Sequence, residues 1–243
     1  MAIRYAGLTL AVGVVLAFVA PLFMPGFVFI DAVDQTDFAA ARDAMGASPV
    51  LAQWMTFITL ISLLLMSFGL LGLLPLASRQ PGLGGKLLQF GIIATLIEWS
   101  ILIVATGMRH FEIHLMQRGN LEAQGSPMAT VFADAALAVH IELTAVTLAF
   151  VALAPLASSM FGLGLSSRFA STNLFKVAGH ILVVGGVVGL VNFLFAMNAP
   201  ETGVQSLLFV NTIVLYVQGV CLIIVGLGMY QGRTELAEEG SSA

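Results

Sequence analysis

Residues 52–77 read AQWMTFITLISLLLMSFGLLGLLPLA and contain no charged side chain. An apolar stretch of about 20 residues is long enough to cross the hydrocarbon core of a membrane as a helix. Five further stretches of this kind lie along the chain, so the sequence predicts six membrane-spanning segments. Their predicted bounds are 5–29, 52–77, 86–108, 129–154, 174–197 and 205–230. The predicted fold is an all-α, polytopic integral membrane protein with six transmembrane helices.

The composition of the chain supports this fold. Of the 243 residues, 59% are hydrophobic and only 9% are charged, whereas about a quarter of the residues of a soluble domain are charged. We expect residues 1–243 to form a single transmembrane domain that ends in a short acidic tail, residues 231–243. The predicted environment is the lipid bilayer, and the lack of a basic patch argues against nucleic acid as a partner.

The basic residues predict the orientation of the segments. If the N-terminus lies inside, six basic residues fall on the inner side: Arg4, Arg79, Lys86, Arg168, Lys176 and Arg233. Three fall on the outer side: Arg42, Arg109 and Arg118. Because an excess of basic residues marks the cytoplasmic side, both termini are predicted to be cytoplasmic. The predicted location is the bacterial inner membrane.

Two stretches of the chain resemble each other. Residues 73–84 read LLPLASRQPGLG and residues 153–164 read LAPLASSMFGLG, with eight of twelve positions identical. Pro75 and Pro155 are predicted to end helices, and the glycines to form inner turns. This predicts a duplicated two-helix hairpin, made of segments 2–3 and segments 4–5. The alternative is that the inner turns of membrane hairpins share a limited set of residues.

Glu98, His140 and Glu142 are ionisable residues that lie well inside the apolar segments. At a helical rise of about 1.5 Å per residue, all three fall near the predicted midplane. Since a charged group there is costly, we expect a buried midplane polar cluster in which Glu98 bonds to His140 or Glu142. The helical angle places Glu142 roughly 160° from His140, so each needs its own partner. The cluster is either a structural clamp or a site for transfer of protons or electrons.

His140 and His180 are candidate cofactor ligands. Histidines inside an apolar helical bundle are the usual axial ligands of b-type haem. The segment GHILVVGG, residues 179–186, is similar to the small-residue-flanked histidine of membrane cytochromes. The two histidines differ in depth by roughly 15 Å, which is too far for both to bind one haem. A haem would therefore use one histidine, or take its second ligand from another subunit.

A metal site is predicted at the outer face. His110 and His114 share one helical face if segment 3 continues beyond residue 108, and this spacing lets both imidazoles bind one metal. Asp134 has a suitable depth to be a third ligand. Imidazole and carboxylate together suit copper, zinc or iron. The alternative is that this stretch is the amphipathic end of a helix.

These features predict a membrane-embedded subunit of a larger membrane complex, whose midplane cluster serves proton or electron transfer. The small soluble part and the large apolar faces favour other membrane subunits as partners. One alternative is a stand-alone membrane redox protein that binds haem b or a transition metal. Another is a small proton-coupled carrier that works through Glu98 and Glu142. The sequence leaves open whether the chain is an enzyme.

Overall fold

The computed structural model describes residues 2–199, 203–233 and 236. Within this part of the chain the secondary structure is helical, without strands. In chain order the helices are α1 (Ala2–Leu22), α2 (Phe38–Ala47), α3 (Pro49–Leu71), α4 (Leu74–Arg79), α5 (Gly82–Gly119), α6 (Pro127–Ser167), α7 (Leu174–Asn198) and α8 (Gly203–Gln231). The acidic tail predicted for residues 231–243 lies almost entirely outside the described residues.

Six of the helical stretches are long and apolar enough to cross a membrane, which confirms the six predicted segments. The protein is an integral membrane protein. Helices α5 and α6 are longer than predicted, with 38 and 41 residues. At about 1.5 Å per residue they measure about 57 and 62 Å, against about 30 Å for a hydrocarbon core. Both helices therefore extend beyond the core, and depths counted from the predicted bounds are not reliable for them.

The connection between α1 and α2 explains why the first helix ends early. Pro21 lies in the last turn of α1, and Gly26 has a φ of +85°, which glycine adopts without steric cost. The helix stops at Leu22, before the predicted end of segment 1 at residue 29. In the connection, the backbone N–H and the hydroxyl of Thr36 donate to Asp34 and lower the pKa of that carboxyl. The Asp37 carboxylate caps α2 by accepting from the Ala40 N–H at 3.0 Å.

The two similar stretches do not have the same structure. In the first, the helix ends at Arg79 and a new helix starts at Gly82, whose φ is +73°. In the second, α6 runs through Pro155 to Ser167, so the predicted helix end at Pro155 is wrong. The first stretch has a second proline, Pro81, where the second stretch has phenylalanine. A residue that precedes proline disfavours the helical conformation, and Gln80 is accordingly extended.

The packing divides the chain into two compact units. The first unit comprises Met1–Val15, Ser62–Trp99 and Phe150–Ala243. Within it α5 and α6 cross closely at two glycines. A Cβ on Gly91 would lie 2.5 Å from the Cα of Phe161, and a Cβ on Gly164 would lie 2.5 Å from the Cα of Leu88. Such small residues let backbones approach each other in membrane helices.

The second unit comprises Leu16–Ile61 and Ser100–Ala149. In this unit α2 packs against the end of α5 and the start of α6. Arg42 of α2 donates to the Ala133 carbonyl at 3.2 Å, and Asn120 donates to the Gly46 carbonyl at 3.3 Å. The unit has a hydrophobic core rich in methionine, with the buried residues Met24, Met45, Ala52, Ile113, Met116 and Ala136. Methionine fills irregular gaps in a core because its side chain is flexible.

The start of α6 is defined by local sequence. The Ser126 hydroxyl caps the helix by accepting from the Ala129 N–H at 3.1 Å. Pro127 is the first helical residue, a position where its missing N–H costs nothing. The preceding Gly125 has a φ of +78°. These residues determine where α6 begins after α5 has ended at Gly119.

Candidate functional site: a buried histidine–glutamate pair

The centre of the candidate site is a pair formed by α5 and α6 in the second unit. His140 Nδ1 lies 2.9 Å from Glu112 Oε1. The side chains of His140 and Glu112 are only 5% and 0% exposed. A buried carboxylate is costly unless it is hydrogen-bonded and balanced by a positive charge. Because a carboxylate can only accept, His140 donates from Nδ1 when Glu112 is ionised.

Glu112 is a partner that the sequence analysis did not assign. Depths counted along the apolar stretches predict instead that Glu98 bonds to His140 or Glu142. Helix α5 continues to Gly119, and α6 begins at Pro127. The part of α5 that lies beside His140 is therefore its outer part, which contains Glu112, and not the part that contains Glu98. Glu98 belongs to the first unit and is buried, with 4% of its surface exposed. Its carboxyl has no hydrogen bond to any residue that the structure describes.

Glu142 is not part of this buried site. It is exposed, as is Asp134 two turns earlier on α6. Two residues along a helix correspond to a rotation of about 200°, so Glu142 faces outward where His140 faces inward. The two side chains therefore lie on different sides of α6, and Glu142 is exposed in the structure, where burial was expected.

Arg109 provides a positive charge beside the pair. It lies three residues before Glu112 on α5, a spacing that places both on one side of the helix, and the two side chains attract each other electrostatically. The guanidinium carbon lies 5.4 Å from the centre of the Phe27 ring, within the range of a cation–π interaction. With Arg109 positive, Glu112 negative and His140 neutral, the net charge of the cluster is zero.

Two buried atoms of the cluster keep their hydrogen-bonding capacity. Within the described part of the chain, Arg109 Nε and Glu112 Oε2 have no hydrogen-bond partner. Unsatisfied buried polar atoms are uncommon in folded proteins, and they often mark functional groups or sites of bound water. The cluster therefore offers one free donor and one free acceptor next to the His140–Glu112 hydrogen bond.

An aromatic side chain of α2 covers the histidine. The ring centres of Phe38 and His140 are 6.0 Å apart, with an edge-to-face angle of 60°. Phe38 is the first residue of α2, directly after the Asp37 cap. Because apolar surroundings lower the local dielectric constant, the electrostatic interactions within the pair are stronger than they are in water.

The other predicted ligands do not converge. His110 and His114 lie on one continuous helix, but Nδ1 of His110 is 2.6 Å from Gln53 Oε1 and His114 is exposed. Asp134 and His180 are also exposed. Among the described residues, no group of three His, Cys, Asp or Glu side chains is placed to hold a metal ion. The structure therefore does not bring the predicted outer metal ligands together.

The chain matches no protein-family model, no curated protein and no solved structure. Its function has to be inferred from the membrane-spanning fold and from the chemistry of the buried cluster.

Proposed function

We propose that the protein is a membrane-embedded subunit of a larger membrane complex and that it exchanges a proton at the His140–Glu112 pair. The observation that carries this proposal is the 2.9 Å contact between two almost fully buried titratable groups. Histidine is the side chain that ordinarily changes its charge near neutral pH. A carboxylate bonded to the ring stabilises the imidazolium that forms when the ring takes up a proton.

The geometry suggests a route through the pair. A proton taken up at Nε2 makes the ring an imidazolium, which can pass its Nδ1 proton to Glu112 and return to the neutral form. Glu112 then carries the proton. Its Oε2 atom has no hydrogen-bond partner among the described residues and can form a hydrogen bond to the next group on the route. Arg109 disfavours a second positive charge nearby, so the imidazolium is short-lived rather than stored.

The proposal of a larger complex is supported by the outward face of α6. Glu142 and Asp134 are exposed on a helix that is otherwise largely apolar. Ionisable groups on membrane helices usually face protein or water and pair with one another. A second subunit would supply such partners. Migration at the monomer mass in a native gel after mild extraction would contradict this part.

By the distribution of basic residues, we place both termini in the cytoplasm of a bacterial cell.

The second candidate function is redox chemistry, with a haem b or a transition metal bound at His140 Nε2. It is favoured by the same hydrogen bond, because a histidine that binds a metal usually donates its other N–H to a carboxylate or a carbonyl. Glu112 has this relation to His140. A haem absorption band or bound metal that disappears in His140→Gln would support it.

Nitrogen-15 NMR of histidine-labelled protein in lipid bilayers tests proton exchange at the pair. The chain has four histidines, so His140→Gln identifies the signal of interest. We expect the ring hydrogen on Nδ1 at high pH and on Nε2 when the pH is lowered, because the Nδ1 proton has then passed to Glu112. The matched control is His114→Gln, which removes an exposed histidine of α5 and should leave the His140 signals unchanged. A ring that keeps its hydrogen on Nδ1 between pH 8 and 5 would contradict the proposal.

A further inference from the structure

An apolar cavity lies in the first unit, near the ends of the chain. Its volume is about 330 Å³. It is formed by α1, by the end of α3, by α4 and by Leu236. The residues that line it include Ile3, Ala6, Phe68, Leu71, Pro75 and Leu236. No titratable side chain is among its lining residues in the part of the chain that the structure describes.

Two exposed arginines lie close in the chain to residues that line this cavity. Arg4 directly follows the lining residue Ile3, and its guanidinium lies beside Gly232. Nη2 and Nε are 3.1 and 3.2 Å from the position that a Cβ would take on that glycine. Arg233 is the next residue in the chain, and its carbonyl accepts from the N–H of the lining residue Leu236 at 3.0 Å. The Arg4 side chain thus contacts the backbone next to Arg233, and both arginines are close in the chain to residues that line the cavity.

Two exposed tyrosines lie close in the chain to these arginines. Tyr5, next to Arg4, is 60% exposed, and Tyr230 near the end of α8 is 47% exposed. Tyrosine is enriched where membrane proteins pass through the lipid headgroups. The arginines therefore lie at headgroup level, while the lining residues Phe68 and Leu71 belong to the membrane-spanning part of α3.

We propose that this surface binds an anionic glycerophospholipid. The phosphate interacts with Arg4 and Arg233, and part of one acyl chain occupies the cavity. Guanidinium groups bind phosphate with strong, charge-assisted hydrogen bonds, and basic pockets between membrane helices bind anionic headgroups. A free phosphate would use the arginines but not the cavity. A zwitterionic lipid would use the cavity, but its own ammonium group already balances the charge of its phosphate, so its interaction with the arginines is weaker. An anionic lipid fits both features.

The test uses the full chain in detergent, with phosphatidylglycerol or phosphatidylcholine added. Native mass spectrometry counts the retained lipid, and the melting temperature reports its effect on stability. We expect phosphatidylglycerol to be retained preferentially and to raise the melting temperature. Each change of Arg4→Gln or Arg233→Gln should weaken its binding about five-fold, the effect of one basic residue near an anionic membrane surface.

Matched controls separate the two parts of the site. Arg118→Gln removes an arginine of the second unit and should leave lipid binding unchanged. Leu71→Trp fills the cavity from a position that is 45% exposed and should abolish retention, whereas Leu64→Trp changes an equally exposed position on the same helix and should not. If Leu71→Trp does not fold, the arginine variants still decide the result.

Three results would overturn the proposal. The first is equal retention of phosphatidylglycerol and phosphatidylcholine, which would indicate only the general lipid layer around the protein. The second is an equal rise in melting temperature with inorganic phosphate alone, which would indicate a simple anion site. The third is a loss of binding in Arg118→Gln as large as in the Arg4 and Arg233 variants. None of these results bears on proton exchange at His140.

Discussion

Substitution of Glu112 by leucine should lower the free energy of unfolding by about 3 to 5 kcal/mol, because breaking a buried ionic pair leaves the remaining partner without compensation. In this protein the change removes the acceptor of the His140 bond and the negative charge beside Arg109. Leucine is close in size to glutamate, so the loss would come from the polar interactions rather than from a cavity. The measurement is reversible unfolding in mixed micelles.

Two control variants make this result specific. Combining Glu112→Leu with His140→Leu should recover part of the lost stability, because both partners of the hydrogen bond are then apolar, while Arg109 still lacks its counter-charge. Glu98→Leu removes another buried carboxyl of α5, one without a hydrogen bond to a described residue, and should be neutral or stabilising. If Glu98 were bonded to His140 or Glu142, as expected from the sequence, this change would instead be destabilising. Equal destabilisation by Glu98→Leu and Glu112→Leu would contradict the assigned pair.

Substitution of Gly164 by alanine should be among the most damaging changes that add a single methyl group. The new Cβ would lie 2.5 Å from the Cα of Leu88, so the backbones of α5 and α6 would have to separate. Overpacking of a well-packed core costs about 1 to 3 kcal/mol. We expect the upper end of this range, about 3 kcal/mol, because the obstructing atoms are backbone atoms that cannot change rotamer.

The matched control is Gly107→Ala on the exposed side of α5. A Cβ on Gly107 would meet no atom within 4 Å, and alanine is favoured over glycine inside a helix by about 1 kcal/mol. The control should therefore be neutral or stabilising. Melting temperatures and the fraction of monodisperse protein after extraction check both variants. Similar values for Gly164→Ala and Gly107→Ala would show that α5 and α6 do not cross closely at Gly164.

The six spans could be predicted from the sequence because long uncharged stretches have few other stable structures. The lengths of α5 and α6 could not. The hydropathy pattern predicts that segment 3 ends near Met108, because Arg109 and His110 begin a polar stretch. The helix continues because Glu112 and Ile113 are buried in the fold, where a partner for the carboxylate and apolar neighbours for the isoleucine are present.

The candidate site was only partly predictable for a related reason. His140 is recognisable because an ionisable residue in an apolar helix needs a partner. Which partner it meets depends on the register between α5 and α6, and hydropathy does not contain that register. It is determined by the connection after Gly119, by the cap at Ser126 and by the packing of α2. The helix that continues through Pro155 was unpredictable for a similar reason. Whether a proline ends a helix depends on the residues around it.

Infrared spectroscopy of the Glu112 carboxyl tests the central claim, proton exchange at the His140–Glu112 pair, most directly. In protein reconstituted in bilayers, lowering the pH should produce the carbonyl stretch of a protonated carboxylic acid. This band should be absent in Glu112→Gln and altered in His140→Gln, but unchanged in His114→Gln. If Glu112→Gln leaves the whole set of carboxylic acid bands unchanged, Glu112 does not take up the proton and the proposed role of the pair is wrong.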